Sequence, residues 1–478
     1  MPKKKLIAFA ALLLSAAIML SACAAGRVNP TVINIWHYYN GPQKQAFDEI
    51  VLRFNETEGA KNSIVIVAMA NGSVDELKQT VIDSVEKRVG TEPIPELFAA
   101  YADTAYEIYL RGALADIGAY FTQEEQSLYV SDYLYEGGLP EHKILVFPIA
   151  KSTEVLTLNK TDWEVFKAVS GVSESDLLTW EGVTETAKIY YEWTDSLTPD
   201  TEGDGKAFYG RDAMANYVLV GAYQLGQSLF TVDESGSVQV NLDKTAMRRI
   251  WDNYYVPYIN GYFAAYGRFR SDDMKTGDLI AYVGSTSGAA YFPSAITRAD
   301  GSSYSIECMI LPLPGFEGTQ PAAIQQGAGL AMTKTTEEKE KAAALFLKWF
   351  TLPENNLEFA LASGYMPVTV VASDWEYVEK YAAENEVDVP APVEQTLKVS
   401  FGMTSRYELY TSAAFKNSNG ARDIMNRALS DKAAADLAAI EALVNGGTPK
   451  AEAVARYDTG ANFEEWFVQL ESQFGAFK

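Results

Sequence analysis

The chain has 478 residues, of which 48% are hydrophobic and 12% aromatic, so it can bury a sizeable core and is not a disordered chain. At roughly 150 residues per domain, this length suggests two or three domains. Its 63 acidic side chains outnumber its 39 basic ones, and a net charge of −24 repels phosphate backbones, which excludes nucleic-acid binding. A structural zinc site usually needs four Cys or His ligands. This chain has four such residues, His37, His142, Cys23 and Cys308, and they are scattered along the sequence, which argues against a zinc site.

The N-terminal segment has the layout of an export signal. Three lysines precede an apolar run from Leu6 to Leu20, which is short for a membrane span of about 20 residues. The run ends in Leu20-Ser21-Ala22-Cys23, which resembles a bacterial lipobox, where the cysteine receives a diacylglyceryl group. We predict a lipoprotein signal peptide over 1–22, lipidation of Cys23 and a lipidated tether over 23–30. An ordinary signal peptide is the alternative.

Beyond this signal, the hydrophobic pattern alternates between strand and helix composition. The predicted elements in chain order are strand 32–39, helix 42–59, strand 63–70, helix 73–89 with a capping box at Ser73 and Glu76, and strand 96–103. This order predicts parallel strands with right-handed crossovers, and hence an α/β fold. Ligands of such folds bind at the carboxyl ends of the strands.

The same alternation resumes in the second half of the chain. The predicted elements are a strand pair around Pro148 within 142–160, helix 179–193, a strand and a turn entering a helix within 274–292, strand 322–336, two helices divided by Pro353 within 337–364, and a mostly helical C-terminal segment over 419–478. No further apolar run approaches the length of a membrane span.

Short motifs then accumulate in a fixed order. They are Trp36, Phe54-Asn55, the run from Pro148 to Lys160, Phe208-Tyr209-Gly210, Thr276-Gly277-Asp278, Gly284 to Gly288, Leu311 to Pro314, Gly327 to Met332, Ala343 to Trp349 and Ser363 to Pro367. In this combination the chain resembles the family 1 extracellular solute-binding proteins of ABC importers, the group of the maltose- and glycerol-3-phosphate-binding proteins. The resemblance covers about residues 32–478. It departs from the family at Thr157-Leu158, where Tyr-Tyr is usual.

The resemblance implies a two-lobed, type II periplasmic-binding-protein-like fold, in which each lobe is a mainly parallel sheet flanked by helices. A hinge joins the lobes, and they close on a ligand held in the cleft. The implied segments are 31–150 plus 284–322 for lobe 1, 151–283 plus 323–478 for lobe 2, and crossings near 151–158, 281–285 and 325–332.

A saccharide presents apolar C–H faces and hydroxyl edges, so a site for it combines flat aromatic rings with fixed polar groups. Four candidates lie at predicted strand ends: Trp36, Tyr38, Tyr39 and Asp103. Core or rim packing is the alternative role for the aromatic residues, and capping of a helix is the alternative for Asp103.

The remaining candidates depend more on the resemblance. They are Ser152, Thr153 and Glu154 on the first hinge strand, Arg211 after Tyr209-Gly210, Ser285 and Ser287 at the start of a helix, Gly327 where backbone could approach a ligand, and Tyr365. Their alternative roles are structural, such as helix capping for the serines and a strand twist for the glycine.

The charge of the ligand follows from one family comparison. The glycerol-3-phosphate binders of this family use a basic group in a late segment, where this chain has Ser400, and Arg406 lies six residues later. We therefore expect a neutral saccharide, with glycerol-3-phosphate or a glycerophosphodiester as the alternative.

An acidic loop raises the question of a metal. Asp200, Glu202 and Asp204 precede Gly205 with the spacing that opens an EF-hand-like calcium loop, but position 12 is Arg211 instead of Glu. A structural calcium ion and a solvated acidic turn are both open. No other cofactor is expected.

The resemblance also implies the partners and the location. We expect a monomer without catalytic activity, anchored by lipid on the outer face of the cytoplasmic membrane, that delivers a small-molecule ligand to ABC permease subunits. One rival is a receptor subunit that senses a ligand for a membrane kinase. The other is a glycosidase that uses a carboxylate pair such as Asp103 and Glu154.

Overall fold

The computed structural model describes residues 29–134, 136, 143–201, 203–233, 237–298, 300–327 and 329–477. The predicted signal peptide, the lipidation site Cys23 and most of the predicted tether lie outside the described residues, as do His142 and Glu202.

The strands are short and are distributed along most of the chain. They are β1 Thr31–His37, β2 Ile64–Ala70, β3 Leu97–Ala100, β4 Val146–Phe147, β5 Glu154–Asn159, β6 Tyr209–Arg211, β7 Phe230–Val232, β8 Val238–Val240, β9 Ala281–Ser285, β10 Ala295–Thr297, β11 Ser303–Ser305, β12 Cys308–Leu311, β13 Ala322–Ile324, β14 Gly329–Met332 and β15 Glu408–Tyr410.

The helices fill most of the remaining chain. They are α1 Gly41–Glu56, α2 Glu58–Asn62, α3 Val74–Val85, α4 Ala102–Leu110, α5 Gln123–Gln126, α6 Ser131–Leu134, α7 Lys160–Ser170, α8 Trp180–Ser196, α9 Met214–Gln224, α10 Lys244–Asp252, α11 Tyr255–Ile259, α12 Arg270–Thr276, α13 Glu337–Phe350, α14 Pro353–Ser363, α15 Trp375–Glu384, α16 Ala391–Thr404, α17 Ser418–Asn445, α18 Lys450–Ala455 and α19 Gly460–Phe474. Short 3-10 helices occupy Ile117–Tyr120, Glu174–Leu178, Thr286–Tyr291, Val371–Ser373 and Gly475–Phe477.

Two sheets with separate hydrophobic cores form the two lobes. The first is five-stranded in the order β2-β1-β3-β14-β4, and the second is four-stranded in the order β12-β5-β9-β6. The predicted two-lobed α/β fold is thus confirmed. Both sheets are mixed, since β1 pairs in parallel with β2 and β3 whereas β14 runs antiparallel to β3 and β4, and β5 runs antiparallel to β9 and β12.

The division of the chain between the lobes differs from the expected one. Strand β12, expected in lobe 1 with residues 284–322, pairs with β5 in the second sheet, and Cys308 lies buried there opposite Asn159. Strand β14, expected in lobe 2 with residues 323–478, lies between β3 and β4 in the first sheet. Without β14, the backbone groups on one edge of β3 and one edge of β4 would lack their strand partner. The sequence pattern does not reveal which strand will fill that place.

Three segments meet at the hinge. The backbone of Lys151 exchanges hydrogen bonds with Met366 (N···O 3.0 and 2.6 Å), and that of Ser152 exchanges them with Gln326 (2.9 and 2.8 Å). The lysine side chain is fully buried, pairs with the Glu136 carboxylate, and lies 3.4 Å from the carbonyl oxygen of Gly327. The expected crossing at 281–285 is instead β9 of the second sheet, and its continuation, Thr286, bonds to Thr153 of the hinge.

Two local predictions show how sequence signals work. Ser73 and Glu76 form the predicted capping box at the start of α3, and Pro353 opens α14 as predicted. The predicted strand 322–336 is instead two strands, β13 and β14, which lie in different sheets and are separated by the hinge. Among the described residues, no helix is both long enough and apolar enough to cross a membrane.

Candidate functional site

A cavity of about 240 Å³ lies in the cleft between the lobes, beside the hinge. Its walls come from the carboxyl end of β3, the starts of α3 and α4, the hinge after β13, and the segment from β15 into α17. The lining residues are Val74, Asp75, Lys78, Tyr101, Ala102, Asp103, Thr104, Glu136, Ile324, Gln325, Gln326, Thr411, Ser412, Asn419 and Arg422.

Fixed polar groups dominate this lining. The N-terminal turns of α3, α4 and α17 all contribute to it, and the first backbone N–H groups of a helix are free to donate to a ligand oxygen. Asp75 and Asp103 lie in the first turns of α3 and α4, where a carboxylate offsets the partial positive charge of the helix end. The site is thus rich in hydrogen-bond donors without being strongly cationic.

The cavity is lined by charged side chains of both signs. Glu136 pairs with Lys151, and Lys78 lies 3.9 Å from Glu107. Arg422 of the second lobe and Asp103 of the first line the same cavity. Because both signs of charge are present, the cavity is suited to a solute without net charge.

A group of tyrosines adjoins the cavity. The hydroxyls of Tyr38, Tyr101 and Tyr365 approach one another, and that of Ser287 approaches Tyr365. Burial raises the pKa of Tyr38, and the neighbouring phenols of Tyr101 and Tyr365 raise it further. Burial likewise raises the pKa of Tyr365. All three phenols therefore stay protonated at neutral pH and can donate hydrogen bonds.

Several polar atoms near this group are buried without a hydrogen-bond partner. Within the described part of the chain, the hydroxyls of Tyr38, Tyr39 and Thr153 and the carbonyl oxygen of the Gln325 side chain have no hydrogen-bond partner of normal geometry. Buried polar atoms are rarely left unpaired, because each costs about 1–3 kcal/mol. Of these, Gln325 lines the cavity, so a hydroxylated solute could donate to its side-chain oxygen.

The predicted strand-end residues divide into two sets. Asp103 lines the cavity, and Tyr38 and Tyr39 lie in the tyrosine group, where the Tyr39 ring packs 6.2 Å from that of Tyr365. Trp36, in contrast, is 5% exposed and belongs to the core of the first lobe. Asp103 also lies inside α4 rather than at the end of the predicted strand 96–103.

The predicted hinge residues bond mainly to the protein itself. Ser152 and Thr153 form the backbone bonds of the hinge, and Gly327 adopts a φ of +93° in contact with Ala150 and Lys151. Ser285 accepts a bond from the Ser287 backbone N–H (3.3 Å) at the start of the 3-10 helix Thr286–Tyr291. For Ser285 this geometry is the capping role.

Glu154 and Arg211 form a buried ion pair rather than part of the cavity lining. Arg211 Nη2 donates to Glu154 Oε2 (2.9 Å), and both side chains are almost fully buried. The guanidinium carbon of Arg211 lies 5.0 Å from the ring centre of Tyr217 and 5.7 Å from that of Trp180.

Asp103 is the one predicted residue among those that line the cavity, and the lining residues that were missed include Tyr101, Gln325, Gln326 and Arg422. Tyr101 lies two residues before Asp103 at the same strand end, so the same rule that selected Asp103 could have selected it. Arg422 lies on α17 in an ordinary polar stretch, and only the tertiary fold brings it to the cleft.

The charge comparison based on Ser400 needs correction. Ser400 is buried in α16 and its hydroxyl donates to the Thr396 carbonyl oxygen (2.6 Å), while Arg406 Nε donates to the carbonyl oxygen of Gly402 (2.9 Å). Neither residue lines the cavity, whose basic side chains are Lys78 and Arg422. The residue at position 400 therefore does not decide the charge of the ligand.

The acidic loop that contains Asp200 and Asp204 lies at the surface. Asp200 and Asp204 are exposed, and Asp204 Oδ1 accepts a bond from Thr198 Oγ1 (2.5 Å). Glu202 lies outside the described residues, and among those that are described no group of three or more His, Cys, Asp or Glu side chains could hold a metal ion. Calcium binding stays a prediction.

Three larger grooves have other linings. One, of about 770 Å³, runs between Leu128, Leu352 and Val370, and another, of about 830 Å³, lies beside Cys308 and Pro390. The third, of about 540 Å³, lies beside Gly72 and Thr80. None of them combines the hinge residues Gln325 and Gln326 with Asp103 of the first lobe and Arg422 of the second. We therefore take the cleft as the functional site.

The comparisons with known proteins agree with this architecture. The family model described as "Bacterial extracellular solute-binding protein" matches residues 49–388. A search of curated protein sequences gave no significant match.

Solved structures share the fold. The cyclic alpha-maltosyl-1,6-maltose binding protein from Arthrobacter globiformis is 18% identical, with a TM-score of 0.63 over 94% of this chain and 99% of its own. UgpB from Mycobacterium tuberculosis, in complex with glycerophosphocholine, is 19% identical, with a TM-score of 0.64 over 95% and 98%. The maltose/maltodextrin-binding domain MalE from Bdellovibrio bacteriovorus, bound to maltotriose, is 13% identical, with a TM-score of 0.61 over 93% and 100%.

Proposed function

This chain belongs to the bacterial extracellular solute-binding proteins, and from that we propose that it captures a neutral saccharide in its interlobe cleft and delivers it to the permease subunits of an ABC importer. Closure of the lobes about the hinge would enclose the sugar. The chain itself would carry out no chemical step.

The observation that carries this proposal is the presence of protonated tyrosines and of charged side chains of both signs at one cleft. Tyr101 lines the cavity, where its ring can pack on a C–H face of a sugar and its hydroxyl can bond to an edge. The hydroxyls of Tyr38 and Tyr365 lie behind it. Gln325, Gln326 and Asn419 add amide donors and acceptors. A neutral polyhydroxylated solute satisfies this lining without leaving a buried charge unpaired.

The cavity volume bears on the size of the sugar. At about 240 Å³ it is smaller than the roughly 300–1,000 Å³ of pockets that hold drug-sized ligands. In this arrangement of the lobes, one or two sugar units match the cavity better than a long oligosaccharide. A wider separation of the lobes would admit more.

A glycerophosphodiester is the second candidate, and one observation favours it. Arg422 and Lys78 line the cavity together with the starts of three helices, an arrangement suited to a phosphate group. The structurally similar Mycobacterium tuberculosis protein was solved with glycerophosphocholine. Asp75 and Asp103 in the same lining oppose an anionic group, and for this reason we rank the saccharide first.

The location and the partner belong to the same proposal. We infer that the lipobox-like motif directs acylation of Cys23, so that the protein is held on the outer face of the cytoplasmic membrane as a monomer. A receptor subunit for a membrane kinase would need the same cleft. Genes for permease subunits beside the coding gene would favour import, and a sensor-kinase gene would favour signalling.

Thermal unfolding of the chain without its predicted signal peptide tests the ligand class. The panel would contain glucose, maltose, maltotriose, glycerol-3-phosphate and glycerophosphocholine. A ligand at 100 times its Kd adds about 2.7 kcal/mol to the unfolding free energy, so a bound solute raises Tm visibly. We expect a rise with a saccharide only. A rise with a phosphate compound alone would replace the saccharide by the second candidate.

Matched variants then locate the binding site. Tyr101→Ala should weaken binding of the stabilising sugar at least tenfold, because the packing of a sugar face on the tyrosine ring and a hydrogen bond to the phenol are both lost. Tyr266→Ala, whose side chain is 65% exposed and outside the cavity lining, should leave binding unchanged. Equal effects of the two changes would place the sugar elsewhere.

A further inference from the structure

A continuous chain of side chains runs from the hinge into the cleft. Arg211 Nη2 donates to Glu154 Oε2 (2.9 Å), Asn216 Nδ2 donates to Glu154 Oε1 (2.8 Å), and Arg422 Nη2 donates to Asn216 Oδ1 (2.7 Å). Glu154 is the first residue of β5, directly after the hinge segment, and Arg422 lines the cavity at the other end. We call this set the Glu154–Arg422 chain.

In this chain, the donor or acceptor role of each side chain fixes the orientation of the next one. One carboxylate oxygen of Glu154 accepts from Arg211, so the other is left for the amide nitrogen of Asn216. That orients the amide oxygen of Asn216 toward Arg422, which can only donate. Asn216 and Glu154 are 0% and 2% exposed, so water does not compete for these bonds. Bonds to charged groups are the stronger ones in proteins.

The far end of the chain faces the opposite lobe. Arg422 lies close enough to Tyr101 to lower its pKa, against the larger effect of burial, and it shares both the cleft cavity and an adjoining space of about 30 Å³ with Asp103. An arginine in this position is the main cation that the second lobe presents to a solute held by the first. Its guanidinium has a planar set of donors suited to paired oxygen atoms.

Helix packing alone does not account for the arrangement. Helix α17 is also attached to α9 one turn further on, where Asn426 Oδ1 accepts from the backbone N–H of Ala215 (2.9 Å). That second contact docks the helix without touching the guanidinium of Arg422. Asn216 therefore has a separate task, which is to orient this side chain.

We infer that Arg422 is a specificity-determining residue that holds paired oxygen atoms of the solute, and that Asn216 and Glu154 are positioning residues that orient its guanidinium. This deepens the proposed function, since it concerns the same cleft. Glu154, expected on family grounds to touch the solute, acts in this scheme through Asn216. The hinge strand and the solute-binding arginine thus belong to one bonded unit.

The first test needs no ligand. Nuclear magnetic resonance spectra of the chain labelled with ¹⁵N-arginine report rotation about the guanidinium bonds, and Arg422→Lys identifies the Arg422 signals. We expect restricted rotation in the wild type, averaged signals in Asn216→Ala and wild-type behaviour in Asn426→Ala. Signals of Arg249, which bonds to Glu181, serve as a check that the fold is intact.

Two results would overturn the positioning role. One is an Arg422 guanidinium that already rotates freely in the wild type. The other is an equal loss of order in Asn426→Ala, because that would assign the effect to helix docking. Either result stands whether or not a ligand is found.

The second test uses maltotriose and glycerophosphocholine as probes in calorimetric titrations. Whichever probe binds the wild type should bind Asn216→Ala and Arg422→Ala about tenfold more weakly, a change of about 1.4 kcal/mol, with Asn426→Ala within twofold of the wild type. Unchanged affinity in Arg422→Ala would remove its role in specificity. Binding of neither probe would count against the proposed ligand classes and would leave the spectroscopic result to decide the positioning role.

Discussion

Acidification should destabilise the first lobe through His37. The imidazole is fully buried at the end of β1, its Nδ1 accepts a bond from the Tyr39 backbone N–H (3.2 Å), and it packs against the ring of Phe47. Within the described residues, its Nε2 has no partner. Burial lowers the pKa of His37 to about 4, although Asp48 opposes the change, and Lys44 adds to it.

The direction follows from proton linkage. Between pH 6.5 and about 4 the unfolded chain binds a proton at this histidine that the folded chain does not, so stability falls as pH falls through this range. The contribution is complete above pH 6.5 and is gone below pH 4. At about 1.4 kcal/mol per pH unit, the gap between the two pKa values corresponds to about 3 kcal/mol of unfolding free energy.

The assay compares wild type with His37→Asn, whose side-chain oxygen can accept the same bond from Tyr39. Urea unfolding followed by tryptophan fluorescence at pH 7.5, 6, 5 and 4 gives the free energy of unfolding of each protein. The wild type should lose about 3 kcal/mol more than the variant between pH 7.5 and 4. Carboxylates contribute equally to both proteins and cancel in the difference. Parallel pH profiles would refute the reasoning.

Three further outcomes are expected. Gly327→Ala should lower Tm more than Gly171→Ala. Both glycines have positive φ, but an added Cβ at 327 would lie 2.6 Å from the Ala150 carbonyl oxygen, whereas nothing lies within 4 Å of one at 171. Equal losses of Tm in calorimetry would exclude the backbone clash. Lys151→Met should cost about 3–5 kcal/mol, because it leaves the Glu136 carboxylate buried without its partner, and adding Glu136→Leu should recover much of the loss in denaturant unfolding. The calcium hypothesis predicts that millimolar CaCl₂ raises Tm of the wild type but not of Asp204→Asn, and an absence of any rise would leave the loop a solvated turn.

Local signals in the sequence were reliable where one segment decides its own structure. The alternation of apolar residues in β1 and the spacing of Ser73 and Glu76 specify a strand and a helix start, and both occur where they were expected. Pro353 likewise divides α13 from α14. In these cases the bonds that fix the element join residues only a few positions apart.

Prediction failed where the outcome depends on a choice between distant partners. The segment 322–336 has strand composition throughout, yet its halves join different sheets, because β3 and β4 leave a gap in the first sheet that β14 fills. In the same way, β12 completes the edge of the second sheet. Composition predicts that a segment is a strand, but the strands with which it pairs depend on the whole fold.

The candidate site shows the same limit. Strand-end reasoning reached Tyr38 and Asp103, since the carboxyl ends of parallel strands meet at one edge. It could not reach Arg422, which lies far along the chain on α17, nor recognise that Glu154 and Arg211 form a buried ion pair with each other. A polar residue near a cleft can serve the solute or another side chain, and only the geometry separates the two.

The hinge and the cleft are connected by more than proximity. Lys151 is bonded to two of the neighbouring hinge segments through Met366 and Gly327, and three residues later Glu154 begins the chain of bonds that ends at Arg422. A rotation at the hinge therefore moves β5, Asn216 and Arg422 as one bonded unit relative to Tyr101 and Asp103. Closure of the lobes would then bring the Arg422 guanidinium to the solute in the same movement, because Arg422 is bonded through Asn216 to Glu154 on the strand that follows the hinge.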